Sequence, residues 1–209
     1  MTPADGKPAP SHRDAKIVRG AKDIARLRRE LAKVTPAPRE RFANNSKGAA
    51  VLVPIFERDG DLHLVYIRRA DHVASHRGQV AFPGGRVDPT DTTLLDTALR
   101  EADEEVAITP GVVDVLGAFP TMSTLTSGIV VAPFAGVIPA TTAMRPSPDE
   151  VAEIFTVPLS ALADPRYRGE HRWEGSRKFP AILYGGQTIW GLTLRITENL
   201  LEILAGGND

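Results

Sequence analysis

A chain of 209 residues is long enough for one well-buried domain with added segments, and too short for two full ones. Its formal net charge of −1, with 24% charged and 42% hydrophobic residues, leaves no basic footprint for nucleic acid or an anionic membrane. The absence of cysteine excludes disulfides, thiolate metal sites and a cysteine nucleophile. It fits a reducing compartment, and with no signal-peptide pattern and no apolar run of membrane-spanning length a cytoplasmic location is expected.

In chain order, residues 1–15 are rich in Pro, Asp, Lys and Ala and read as a disordered leader. Ile24, Leu27, Leu31 and Val34 then recur at helical spacing among Arg and Lys, predicting an amphipathic helix closed by Pro36 and Pro38. Its stripe is expected to pack on the domain or on a second copy of the chain, so a homodimer is one expectation. Residues 1–38 thus form a leader and helix ahead of a domain spanning 39–209.

Within that domain, the alternation of Val51, Val53 and Ile55 predicts a strand over Ala49 to Phe56. Asp59-Gly60 is a hairpin turn signal, and Leu62 to Ile67 is the returning strand. A helix is expected from about Asp91 to Ala107. Val112 to Phe119, Ile129 to Ile138 and Val151 to Val157 are apolar, β-branched strand candidates. A short helix over Ser160 to Ala163 precedes Asp164-Pro165. Phe179 to Tyr184 with Thr188-Ile189 predicts a further strand, and Leu192 to Leu204 a final helix. Mixed strands with few helices and no regular βαβ alternation point to an α/β sandwich.

Chemistry concentrates on the helix carrying Arg100. Spacings of three and four place Arg100, Glu101, Glu104 and Glu105 on one arc, with Leu95, Leu99, Ala102 and Val106 expected to face a core. Three neighbouring carboxylates repel one another unless a cation or an arginine offsets their charge, and hard divalent cations take such oxygen ligands. A solvated helix face is the ordinary explanation of an acidic run, but the loop before it changes the odds. Phe82-Pro83-Gly84-Gly85 is a rigid apolar stop followed by two residues that permit close backbone approach.

The segment GGRVDPTDTTLLDTALREADEEVAI, Gly84 to Ile108, resembles a Nudix box, which Gly85, Arg100, Glu101, Ala102, Glu104, Glu105 and Ile108 match. It departs from the common form in three places. The interval from Gly85 to Arg100 is one residue longer. Asp91 replaces the first glutamate and is out of register with Arg100. Ala107 stands where a glycine is usual. The lengthened box, preceded by RADHVASHRGQVAFPGG, resembles the coenzyme A pyrophosphatase branch, with Arg69, Gly78, Phe82, Pro83, Gly84 and Gly85 in place and Ala74 where an arginine is expected.

The resemblance implies an α/β/α sandwich with a mixed central sheet, and hydrolysis of a nucleoside-diphosphate-linked small molecule with Mg²⁺ or Mn²⁺. Coenzyme A or an acyl derivative is the expected substrate. Nucleotide sugars, dinucleotides or nucleoside triphosphates are the alternatives within the family, and a non-catalytic ligand-binding domain the alternative outside catalysis. Glu101, Glu104 and Glu105 are the implied metal ligands, with the Gly85 carbonyl as an extra one. Glu101, Glu104 and Arg100 are the implied catalytic group, Arg100 orienting a glutamate. Asp149, Glu150 and Glu153 are distant candidates for the general base. Arg69, His76, Arg77 and Phe82 are the expected substrate contacts, with His72 beside them. Trp173, Tyr167 and Phe179 are candidates for stacking on a base, whereas Trp190 is expected in the core beside the final helix.

Overall fold

The structure, a computed structural model, describes residues 20–43, 48–72, 78–124, 128–173 and 177–206. The leader and the segment holding Ala74, His76 and Arg77 therefore lie outside the described residues.

The chain opens with helix α1 (Gly20–Leu31) and a one-turn helix α2 (Glu40–Ala43). Strands β1 (Gly48–Arg58) and β2 (Asp61–Arg69) follow as a hairpin, then the short strands β3 (Val80–Ala81) and β4 (Gly84–Arg86). Helix α3 (Leu94–Val106) leads into β5 (Asp114–Ala118), β6 (Met122–Ser123), β7 (Val130–Val137) and β8 (Val151–Pro158). Helix α4 (Leu159–Ala163) then precedes a small sheet of β9 (Arg168–Trp173), β10 (Arg177–Tyr184) and β11 (Gln187–Trp190), and helix α5 (Gly191–Ala205) closes the fold.

The β1–β2 turn follows directly from its residues. Asp59 and Gly60 both take positive φ, 55° and 79°, the pair of left-handed conformations that matches the twist of a two-residue hairpin. Arg58 pairs with Asp61, and Ile55 with Leu64. The large sheet runs β3-β2-β1-β7-β5, with β4 on β1, β6 on β7 and β8 on β2. Among the described residues only the β1–β7 pair is parallel, from Gly48↔Val130 to Ile55↔Val137, so the sheet is mixed. The separate sheet runs β11-β10-β9.

Alternation along β1 and β2 assigns each face of the large sheet its own core. Val53, Ile55, Leu64 and Tyr66 join Leu27, Leu31, Leu194 and Leu200 on one side. Leu52, Phe56, Val65 and Ile67 join Leu94, Ala98, Ala102 and Val106 on the other. Burial on both faces is why β1 and β2 read as nearly continuous apolar runs. The result is the expected α/β/α sandwich, with α3 on one side and α1, α4 and α5 on the other.

Leu27 and Leu31 are 0% and 1% exposed within the chain's own core. The stripe that made the first helix a dimerisation candidate is thus occupied internally, against α5 and β5. A helix of 12 residues is marginal alone in water, so this burial, roughly 1.5–3 kcal/mol for each leucine, is what holds it.

Other boundaries move for local reasons. Pro110–Val112 forms a 3₁₀ turn ahead of β5, because Pro110 lacks the N–H that a strand ladder needs. The stretch read as one strand around Phe179 is two, turning at Gly185 and Gly186 with φ of 57° and 79°. The strand β9 had no apolar alternation to announce it, since its exposed positions alternate with half-buried His171 and Trp173. Among the described residues, no helix is long and apolar enough to cross a membrane.

Candidate active site

Helix α3 starts at Thr93, whose hydroxyl accepts from the Asp96 N–H at 3.1 Å while the Asp96 carboxylate accepts from the Thr93 N–H at 2.8 Å. Its buried face is Leu94, Ala98, Ala102 and Val106, rather than the predicted Leu95 and Leu99, which are only half-buried. Alanines at 98 and 102 let the helix lie close on β1. Closeness matters, because β4 hangs from the same strand, with Ala50 opposite Gly85 and Val51 opposite Gly84.

The Gly84-Gly85 step brings the loop against the helix. Gly84 has φ 156° and faces the Ala50 carbonyl and Val51 so tightly that a Cβ would overlap them. A Cβ on Gly85 would overlap the Glu101 carboxylate. At Gly84 the nearest neighbours are backbone and leave no room for a side chain, so glycine is required there.

The acidic arc divides into two environments. Glu105, expected on the open face, is 1% exposed. It accepts from the Gly84 N–H at 2.9 Å and from Arg69 at 3.3 Å. Burial pushes its pKa up to about 7 despite those two donors, with the Glu101 and Glu150 charges adding to the rise. Burial also raises Glu101, and the neighbouring Glu104 and Glu150 charges add to this against the pull of Arg100. Glu104 is largely exposed.

Arg100 ties the arc together. One terminal nitrogen donates to Glu101 and to Glu104, each at 3.0 Å. Its Nε and other terminal nitrogen grip Asp91 at 3.0 and 3.1 Å, and the latter also reaches the Arg86 carbonyl at 3.1 Å. Asp91 therefore meets Arg100 in space despite the longer interval between Gly85 and Arg100. The chain between Arg86 and α3 turns back so that Asp91 meets Arg100 from outside the helix. It is 6% exposed and also accepts from Thr97 Oγ1 at 2.7 Å and the Asp88 N–H at 2.9 Å. Burial would raise its pKa, but Arg100 and these donors outweigh it and draw the carboxyl down to about 2. The same contact raises the Arg100 guanidinium. The roles of Thr97 and the Gly84 N–H escaped the sequence reading. A hydroxyl six residues beyond Asp91 was the one signal available for the former.

Ala107 closes the helix without the usual glycine by itself adopting the left-handed conformation, φ 58°. Its N–H donates to Asp103 O at 2.9 Å and that of Ile108 to Ala102 O at 3.1 Å.

The remaining candidates are scattered around this centre. Phe82 is buried and stacks on Tyr66 at 4.7 Å, with an edge on the cleft. His72 contacts the Asp149 carbonyl at 2.9 Å. Glu153 bonds Arg68 and Gln187, away from the carboxylate cluster. Of the three distant acids, Glu150 is the one whose charge reaches both Glu101 and Glu105. Tyr167 packs edge-on against Tyr184 at 5.0 Å. Trp190 is not a core residue: it is half-buried, 5.1 Å from Trp173, and lines the cleft beside Gly84 and Gly85. That cleft holds about 270 Å³, with Val51, Ile129, Val131 and Leu192 as apolar walls and Arg69 and Arg86 at the loop end.

The NUDIX domain family matches residues 46–178. The chain belongs to the Nudix family. It is 43% identical over 164 residues to the Uncharacterized Nudix hydrolase NudL of Yersinia pestis strain Pestoides F, a match covering 77% of this chain and 81% of that protein. The namesake of Yersinia pseudotuberculosis serotype O:1b matches to the same extent. A MutT/nudix family protein from Enterococcus faecalis superposes with a TM-score of 0.52 at 14% identity, over 91% of this chain and 76% of that one, which speaks to the fold alone. The chain is accordingly a pyrophosphohydrolase.

Nudix hydrolases use divalent cations such as Mg²⁺ or Mn²⁺, and the donors here are of the hard oxygen type that suits them. Glu101, half-buried, and Glu105, buried, are neighbouring carboxylates whose pKa values are raised chiefly by burial, with the surrounding acidic charges adding to it. Among the described residues, no three His, Asp or Glu side chains converge on one point. Arg100 holds Glu101 and Glu104, while Glu105 turns to Gly84 and Arg69.

Proposed function

We propose that this Nudix hydrolase cleaves coenzyme A or an acyl derivative, giving a phosphopantetheine product and adenosine 3′,5′-bisphosphate. The observation that carries the reading is the lengthened box. Across this longer interval Asp91, itself held by the Asp88 N–H, pairs with Arg100. The motif Gly78-Gln79-Val80-Ala81-Phe82-Pro83-Gly84-Gly85 supports the same branch.

Hydrolysis forms a bond from a water oxygen to one phosphorus and breaks the anhydride P–O bond on that phosphorus, releasing the other phosphate. A divalent cation bound at the site would supply charge to offset the pyrophosphate oxygens and to make a water more acidic. Glu101, Glu105 and Glu104 would hold it, with the Gly85 carbonyl. Arg100, clamped by Asp91, keeps Glu101 and Glu104 aimed at the loop, and the Gly84 N–H and Arg69 keep Glu105 there. Glu150 is the candidate to take the proton from water, because its charge is felt by both glutamates. Arg69 and Phe82 line the cleft, which supports a role for Arg69 at the substrate phosphates, and His76 and Arg77 are further substrate contacts on the strength of the motif alone. The absence of cysteine supports a cytoplasmic setting.

The test is a substrate panel with Mg²⁺ and with Mn²⁺, read by product mass. Coenzyme A should give the two products named. A panel in which a nucleotide sugar or dinucleotide is hydrolysed and coenzyme A is not would replace this reading, as Ala74 in place of the branch's arginine would then explain.

A further inference from the structure

The small sheet carries half-buried aromatic rings on one face. His171 and Trp173 come from β9, Phe179 from β10 and Trp190 from β11. Trp190 sits at their centre, with ring centroids 4.3 Å from His171, 5.1 Å from Trp173 and 5.7 Å from Phe179. None of these rings belongs to either core of the large sheet. Leaving two tryptophans half in water forgoes part of the burial that their size offers.

Two cavities meet at this wall. The cleft by Gly84 and Gly85 ends on Trp173 and Trp190. Behind them lies a second hollow of about 350 Å³, which shares both tryptophans with the cleft. The two differ in chemistry. The cleft is mainly apolar, with Gln79, Thr124, Thr193 and its two arginines as polar groups, whereas the hollow is edged in addition by Gln187, Thr188, His171 and Arg68, groups that donate to or accept from a heterocycle's edge. An aromatic face with hydrogen-bonding groups at its margin is what a planar base needs, whereas a flexible aliphatic arm needs the apolar cleft.

The geometry points to the Trp173–Trp190 wall as the nucleobase platform of this enzyme, holding an adenine ring on the hollow's side while the other arm of the substrate lies in the cleft. This assignment rests on the pyrophosphate being held at Gly84-Gly85, and it requires only an adenine nucleotide, not coenzyme A in particular. It also explains why the two cavities share a wall: a substrate cut between two phosphates has two unlike arms to hold.

The test uses the chain's own reporters, since Trp173 and Trp190 are its only tryptophans. Metal-free protein is titrated with AMP, adenosine 3′,5′-bisphosphate and ribose 5-phosphate while intrinsic emission is followed. The two adenine nucleotides should quench it and ribose 5-phosphate should not. Trp173→Leu, on an edge strand, should weaken AMP binding roughly tenfold. The same variant should raise KM for the hydrolysed substrate with kcat retained. Trp190→Leu, read by calorimetry where Trp173 remains as fold reporter, should do the same. Equal quenching by ribose 5-phosphate and AMP, no emission change with millimolar AMP, or unchanged AMP affinity in both variants would overturn the assignment. Failure of the substrate reading is distinct: cleavage of another adenine-containing pyrophosphate but not coenzyme A leaves the wall standing. Cleavage of coenzyme A with emission indifferent to AMP removes the wall and leaves the substrate.

Discussion

Replacing Asp91 by asparagine isolates the contact that carries the lengthened loop. The carboxylate takes two bonds from Arg100, one from Thr97 and one from the Asp88 N–H, at 6% exposure. Its carboxyl falls from 3.8 to about 2 in the folded protein. A depressed folded pKa contributes stability that is fully present above the unfolded pKa and is lost as pH falls through the folded one. The difference of about 1.8 units corresponds to about 2.4 kcal/mol at pH 7, and about half of that remains at pH 3. Urea unfolding of wild type and Asp91→Asn across pH 7 to 3 should therefore show a gap of about 2 kcal/mol that narrows on acidification. Turnover should fall as well, because Arg100 loses the partner that aims it at Glu101 and Glu104. A gap that stays constant over this range, or no gap at pH 7, would refute the reasoning.

Ala107→Gly removes a left-handed alanine at the end of α3, and the variant should be more stable by roughly 0.5–1 kcal/mol; a lower melting temperature would contradict this. Glu105→Gln should cost on the order of a hundredfold or more in turnover, with the circular dichroism spectrum of the wild type, and comparable turnover would remove Glu105 from the site. Leu27→Ala opens a cavity at a fully buried position and should destabilise by about 2–5 kcal/mol without altering the mass seen by light scattering. A change in that mass would show that α1 also serves an interface between copies.

Sequence by itself determined the hairpin at Asp59-Gly60, the helix that carries the glutamates and the glycines ahead of it. These are local matters: positive φ, side-chain period and capping are decided within a few residues. It also determined the family, because the box is a contiguous string. Tertiary structure alone decided which members of that string share an environment. Helical spacing put Glu105 with Glu101 and Glu104 on one arc, but packing against β1 and the Gly84 N–H turned it inward. Counting residues put Asp91 out of register with Arg100, since linear spacing is blind to a chain that folds back on a helix. Trp190 looked like core by its neighbour α5 and became a wall of the cleft, because the sheet it belongs to includes β9, a strand that left no apolar alternation to read. Contacts between elements distant in the chain depend on where backbones cross, and no local pattern encodes that crossing.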